Sequence, residues 1–193
     1  MQAFSSSHAP TRHILLKMAR SLLLLCCVMV GLSACSSPPI SVYEQNSPSL
    51  IVREFFDGTL LAHGIVKNRR GEVIRYFNAS ILATWDEDGR GWLDESFIFD
   101  DGEKQQRVWE LRPLGNNQYI ASANDVVGES PLHAAGNALF LNYRLRLARN
   151  DGSVDVNVDD RMYLVNEKTL INESTLSKFG FTVGRVTLVI RKE

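Results

Sequence analysis

The stretch "WLDESFIFDDGEKQQRVWEL", residues 92–111, sets one carboxylate against one guanidinium. Asp100-Asp101-Gly102 has the make-up of a three-residue hairpin loop with glycine in the left-handed conformation. Such a loop places Phe99 opposite Glu103, Phe97 opposite Gln105, Glu95 opposite Arg107 and Leu93 opposite Trp109. The face holding Leu93, Phe97, Phe99, Trp109 and Leu111 is apolar and should turn inward, which makes Glu95 and Arg107 opposite charges in an interior. A buried carboxylate must be paired or neutralised. The pair is then either a structural ion pair or a device that orients a ligand's polar head at the base of an apolar pocket. In "VNVDDRMYL" the alternation of Val154, Val156, Val158, Met162 and Leu164 puts Asp160 on the same inward face, with Asp159 and Arg161 on the other. A one-residue bulge would reverse that assignment. Asp125 and Glu129 flank Gly128 in "ANDVVGES" and read as loop carboxylates that cap turns or face solvent.

Other chemistries find little support. No nucleophile elbow, phosphate-cradling glycine loop or dinucleotide fingerprint is present, and no cofactor is expected. Of four histidines only His63 and His133 lie beyond the amino-terminal region, 70 positions apart, which leaves no histidine-rich metal site. Carboxylate-only metal binding stays open.

The cysteines point to a different use. Cys26 and Cys27 sit inside the uncharged run Leu22 to Leu32, 11 residues long. Crossing a bilayer as a helix takes about 20 residues, so the run is too short to span. His13, Lys17 and Arg20 precede it without an acidic residue, and Leu32-Ser33-Ala34-Cys35 follows it, the layout of a secretory leader with a small-residue cleavage site. "LSAC" resembles the lipobox of bacterial lipoproteins, and the resemblance implies that Cys35 receives diacylglycerol, becomes the first mature residue and is acylated. Two or more acyl chains anchor stably. Ser36 in place of aspartate implies, by the sorting pattern of such lipoproteins, the inner leaflet of the outer membrane, facing the periplasm. Met1 to Lys17 is long and polar for a leader, whereas Met18-Ala19-Arg20 with the apolar run makes an ordinary compact one, so a start at Met18 is an open alternative.

Removing residues 1–34 takes away Arg12, Lys17 and Arg20 and no acidic residue, leaving 18 basic against 22 acidic residues over 159 positions. That length suits one domain with a real core. A mildly acidic chain without basic blocks has no electrostatic footprint for nucleic acid. The first part, "SSPPISVYEQNSP", residues 36–48, carries three prolines and four serines and reads as a tether, so residues 35–49 are taken as lipidated cysteine plus linker and 50–193 as the folded domain.

Those inward-facing charges need elements to hold them. From about Leu50 the chain alternates apolar and polar residues for eight to twelve positions, then breaks at glycine, asparagine or aspartate clusters such as "KNRRGE", "DEDGRG" and "LGNNQ". Regular turn signals at such spacing predict an all-β fold of hairpins. "NALFLNYRLRLAR" is the clearest strand, with Leu139, Leu141, Tyr143, Leu145 and Leu147 on one face. Strands are expected at 59–67, 73–85, 92–99, 105–112, 118–127, 138–148, 154–164, 169–177 and 182–191. "SPSLIVREFF" could be a helix capped by Ser47 or Ser49, or a first strand, and "GESPLHAAGN" reads as a longer loop. Strands of about ten residues, roughly 33 Å, are natural for a tilted barrel. The expected fold is therefore an antiparallel up-and-down β-barrel of about 8–10 strands, a calyx. Phe77, Ala79, Ile81, Ala83 and Trp85 share a face in which alanines alternate with large side chains. Either the small residues leave a cavity or aromatic neighbours fill it.

The stretches "FFDGTLLAHGIVKNRRGEVIRYF", "FIFDDGEKQQRVWEL", "ANDVVGES", "AAGNAL" and "STLSKFGFTVGRVTLVIRK" resemble the bacterial lipoprotein family of domain of unknown function 3833, from about Glu54 to the carboxyl end. The resemblance implies a lipobox leader and a lipocalin-like barrel, and no established activity. The expected role is a membrane-anchored envelope lipoprotein that binds a fatty-acyl, phospholipid or other apolar ligand among Phe77, Ile81, Trp85, Glu95, Phe97, Arg107, Trp109 and Asp160. The alternatives are a scaffold or assembly protein with a filled barrel, and an enzyme acting on lipids or envelope sugars through Glu95, Asp125 or Asp160.

Overall fold

The structure, a computed structural model, describes residues 37–149 and 152–193. The leader, the Met18 alternative and Cys35 lie outside the described residues. Ile40–Glu193 form one compact unit.

Its strands are β1 (Gly58–Asn68), β2 (Val73–Trp85), β3 (Gly91–Phe99), β4 (Lys104–Gly115), β5 (Gln118–Ala123), β6 (Ser130–Ala135), β7 (Ala138–Arg149), β8 (Gly152–Asn166), β9 (Thr169–Lys178) and β10 (Phe181–Lys192). Each pairs antiparallel with its neighbours in sequence, and β1 pairs with β10, so the sheet closes into an up-and-down, lipocalin-like barrel. Closure removes the unpaired edges that an open sheet would present. Period-two patterning drives it: Phe77, Ala79, Ile81 and Ala83 of β2 are buried while residues between them are exposed. Two glycines permit close approach. The Trp85 ring would lie 2.6 Å from a Cβ at Gly91, and the Phe77 ring would overlap one at Gly64, so these aromatics cover bare backbone on the neighbouring strand.

β6 corrects the sequence reading, which placed a loop at "GESPLHAAGN". Only Leu132 among its inward residues is a large apolar side chain; Ser130 and the small Ala134 flank it, and Pro131 lies between. The alternation is present but too faint to register in sequence. The expected fifth strand also stops early, at Ala123, where a loop through Asn124–Glu129 begins.

One end of the barrel is closed. α1 (Val52–Phe55) is a single helical turn whose cap is neither Ser47 nor Ser49. Asn117, in the β4–β5 turn, serves instead: its Oδ1 accepts from the Val52 amide at 2.9 Å and its Nδ2 donates to the Leu50 carbonyl at 2.7 Å. Val52, Phe55 and Phe56 are buried against the barrel. The stretch expected to be a free tether is docked from Ile40 on. A 3-10 turn, Ile40–Tyr43, brings the Tyr43 ring to 5.7 Å from Phe140 and 5.3 Å from Tyr163, and the Tyr43 carbonyl fills the space that a Cβ at Gly136 would need. Among the described residues no helix is long and apolar enough to cross a membrane.

Candidate functional site

The barrel encloses a cavity of about 310 Å³, within the size range of small-molecule pockets, roughly 300–1,000 Å³. Val52 and Phe56 form its floor at the closed end, and Ala62 and Ala79 set back its wall. Toward the other end it reaches the partly exposed Gln105 and Leu147, so it opens there, beside the β1–β2, β3–β4 and β9–β10 hairpins. The room left by small inward residues is thus not filled by aromatic neighbours. Phe77, Phe97 and Phe99 form a cluster on one side instead, with centroids 5.6 to 6.4 Å apart.

The hairpin register anticipated from sequence is the observed one. Glu95 pairs with Arg107, Phe97 with Gln105 and Leu93 with Trp109, with Gly102 at φ 84° in the loop. Of the residues expected to meet a ligand, Phe77, Ile81, Glu95, Phe97, Arg107, Trp109 and Asp160 line the cavity. Trp85 does not. Its indole N–H donates to the Phe56 carbonyl at 2.6 Å and its ring packs 5.6 Å from Tyr119, so it belongs to the plug and not to the pocket wall. The strand's final inward position falls level with the incoming chain, which occupies the space a ligand would need.

The electrostatics depart from the simple pair. Arg107 lies 3.9 Å from Glu95, but its principal partner is Asp125: Nε donates at 2.9 and 3.0 Å, and a terminal nitrogen at 2.8 Å. Asp125, read from sequence as a loop carboxylate, is therefore a clamp on the interior arginine. The loop is held by backbone bonds to β7, Val127 N–H to Arg144 and Arg146 N–H to Asp125. Burial works against the Arg107 charge, yet the Asp125 hydrogen bonds and the surrounding acidic groups raise its pKa further, so it stays a cation.

On the opposite wall Asp160 is buried and accepts from Asn172 Nδ2 at 2.5 Å and Ser174 Oγ at 2.7 Å, both on Oδ1. With ten strands in the ring, β3 and β8 are diametrically opposed, so Glu95 and Asp160 face each other across the hollow. Desolvation pushes Glu95 up to about 7; Arg107 opposes the shift while Asp160 and Asp125 add to it. Desolvation also raises Asp160 against its Asn172 and Ser174 bonds, and raises the Tyr143 hydroxyl, whose ring stands edge-on to Trp109 at 5.2 Å. Asn172 and Ser174 were not singled out from sequence. Their signal was nonetheless there, since they alternate with Leu170 and Leu176 on the inward parity of β9. Among the described residues no three of His, Cys, Asp and Glu gather as metal ligands.

The arrangement offers an apolar chamber with a few convergent polar groups at mid-height. The family described as "Protein of unknown function (DUF3833)" matches residues 29–192. The chain belongs to that family. No curated protein matches this DUF3833 chain. Among solved structures it is similar to the S-type phycobiliprotein lyase CPES from Guillardia theta, at 11% identity and TM-score 0.54, over 81% of this chain and 98% of that one. At that identity the likeness is one of fold, and it agrees with the lipocalin-like barrel of this DUF3833 member.

Proposed function

We propose that this DUF3833 protein is an envelope lipoprotein, held through acyl groups on Cys35 in the outer membrane's inner leaflet, whose barrel binds a fatty-acyl chain or another apolar ligand. The observation that carries the binding half is the cavity of about 310 Å³ with its mostly aliphatic and aromatic wall. Burying a chain there is worth about 0.8 kcal/mol per methylene, so micromolar affinity, about 8 kcal/mol net, takes on the order of fifteen buried methylenes once the ordering costs of association are added. One solved structure of similar fold is that of a phycobiliprotein lyase. The anchoring half rests on "LSAC" and the short apolar run before it. A solid-barrel scaffold lacks support, because its premise is an interior without space. The test is native mass spectrometry of the purified protein after delipidation and exposure to acyl lipids. Adducts of one acyl molecule per chain are expected, and a chain that takes up none would remove the proposal.

A further inference from the structure

The charge balance of the cavity wall bears on which head group it accepts, an inference that rests on the lipid-binding reading above. The only cationic side chains among the lining residues are Arg75 and Arg107. Both are committed. Near the mouth, Arg75 donates to Asp101 at 2.8 Å and Glu103 at 2.9 Å, with its guanidinium 3.8 Å above the Phe99 ring. At mid-height Arg107 grips Asp125 through two nitrogens at 2.8 to 3.0 Å and has Glu95 3.9 Å away. Across the hollow stands Asp160, whose Oδ1 takes both recorded hydrogen bonds while Oδ2 takes none among the described residues. The wall itself thus carries two guanidiniums and two carboxyl groups, Glu95 and Asp160, while Asp125, Asp101 and Glu103 pair with the same guanidiniums from outside the lining.

A fatty-acid carboxylate entering this chamber would bring a further negative charge and find both guanidiniums already neutralised by carboxylates. The Nε–Nη2 edge of Arg107 is held by Asp125 in a bidentate grip, the strong form of a carboxylate–arginine contact, and the remaining Nη1 lies 3.9 Å from Glu95, so a carboxylate drawn to it meets a second carboxyl group there. A head that donates hydrogen bonds meets acceptors in Glu95 and in Oδ2 of Asp160. Phe97 and Trp109 each hold the Arg107 guanidinium 5.8 Å from their ring centroids, so aromatic faces with their negative quadrupoles already line this part of the wall and suit a positive group. We infer that the cavity selects single-chain lipids whose head is uncharged or cationic and donates hydrogen bonds, and that it turns away free fatty acids. The raised pKa of Glu95 points the same way, since the site already resists holding all its carboxylates ionised. Acyl chains remain acceptable when the carboxyl is masked as an amide or ester.

Three probes of equal chain length separate the possibilities: hexadecylamine, 1-hexadecanol and palmitate. Each is titrated against Nile red bound to the full chain at pH 8, below its aggregation threshold. The alcohol and the amine are expected to displace the dye at concentrations at least about tenfold below palmitate, as one uncompensated charge near a protein interior demands. In Glu95→Gln/Asp160→Asn the palmitate penalty should shrink to about threefold or less and the amine should lose its advantage over the alcohol. Folding of that variant is checked by circular dichroism; if it does not fold, the wild-type comparison alone decides. Palmitate displacing the dye as readily as the amine in wild type overturns the inference and leaves lipid binding intact. Failure of all three probes to displace the dye overturns the binding reading and this inference with it.

Discussion

Replacing Glu95 by glutamine should change how stability depends on pH, and the size of the change follows from the site. Burial raises the carboxyl from 4.5 to about 7 in the folded chain, the nearby Arg107 opposing only part of the shift. A folded state that holds a proton more tightly than the unfolded one loses stability as pH rises through the interval between the two values. The gap corresponds to about 3 kcal/mol, absent below pH 4.5 and fully expressed above about pH 8. Glutamine keeps the shape and cannot ionise. In urea unfolding followed by tryptophan fluorescence, wild type and Glu95→Gln should therefore differ by an amount that moves by about 3 kcal/mol between pH 4.5 and 8, with wild type the loser at the alkaline end. Asp160, raised in the same direction, is present in both proteins, so the difference reports Glu95 together with its coupling to Asp160. A difference that stays flat across this range would refute the reasoning: Glu95 would be titrating like a solvated carboxylate, and the interior would be wetter than its lining implies.

Asp125→Asn should cost about 2 kcal/mol in urea unfolding, the scale of a charged hydrogen-bond pair lost inside a protein, and a double-mutant cycle with Arg107→Met should show the two sites coupled. Phe179→Asn should raise the melting temperature, because Phe179 occupies a left-handed position, φ 51°, before Gly180 in a two-residue hairpin where Asn-Gly is the favoured pair, a gain of about 1 kcal/mol. Gly91→Ala should destabilise by about 1–3 kcal/mol and alter tryptophan fluorescence, since the new methyl meets the Trp85 ring at 2.6 Å. Cys35→Ala should abolish incorporation of labelled palmitate and release the protein from membranes; continued labelling would remove the anchoring proposal.

The barrel was legible because its determinants are local. Alternation along β2 and β7, and turn residues such as Asp100-Asp101-Gly102, fix register within a hairpin, so Glu95 opposite Arg107 could be read from spacing alone. What spacing does not carry is the approach of a loop to a distant strand. Asp125 reaches Arg107 only because the loop after β5 is held to β7, a contact between segments that no periodicity reports. The same holds for Asn117 capping α1 over 65 positions and for Trp85 sealing the floor against Phe56, where parity was right and depth along the barrel was not. Asp160 was placed inward correctly, yet its partners Asn172 and Ser174 lie one strand over on β9, beyond the reach of a single-strand pattern.

Tyr43 docks beside Gly136 and Phe140, at the sealed end of the calyx, and the chamber's doorway is at the other end. With the Tyr43 end sealed, a ligand enters and leaves only past the rim beside the β1–β2, β3–β4 and β9–β10 hairpins, so traffic through the calyx is one-ended.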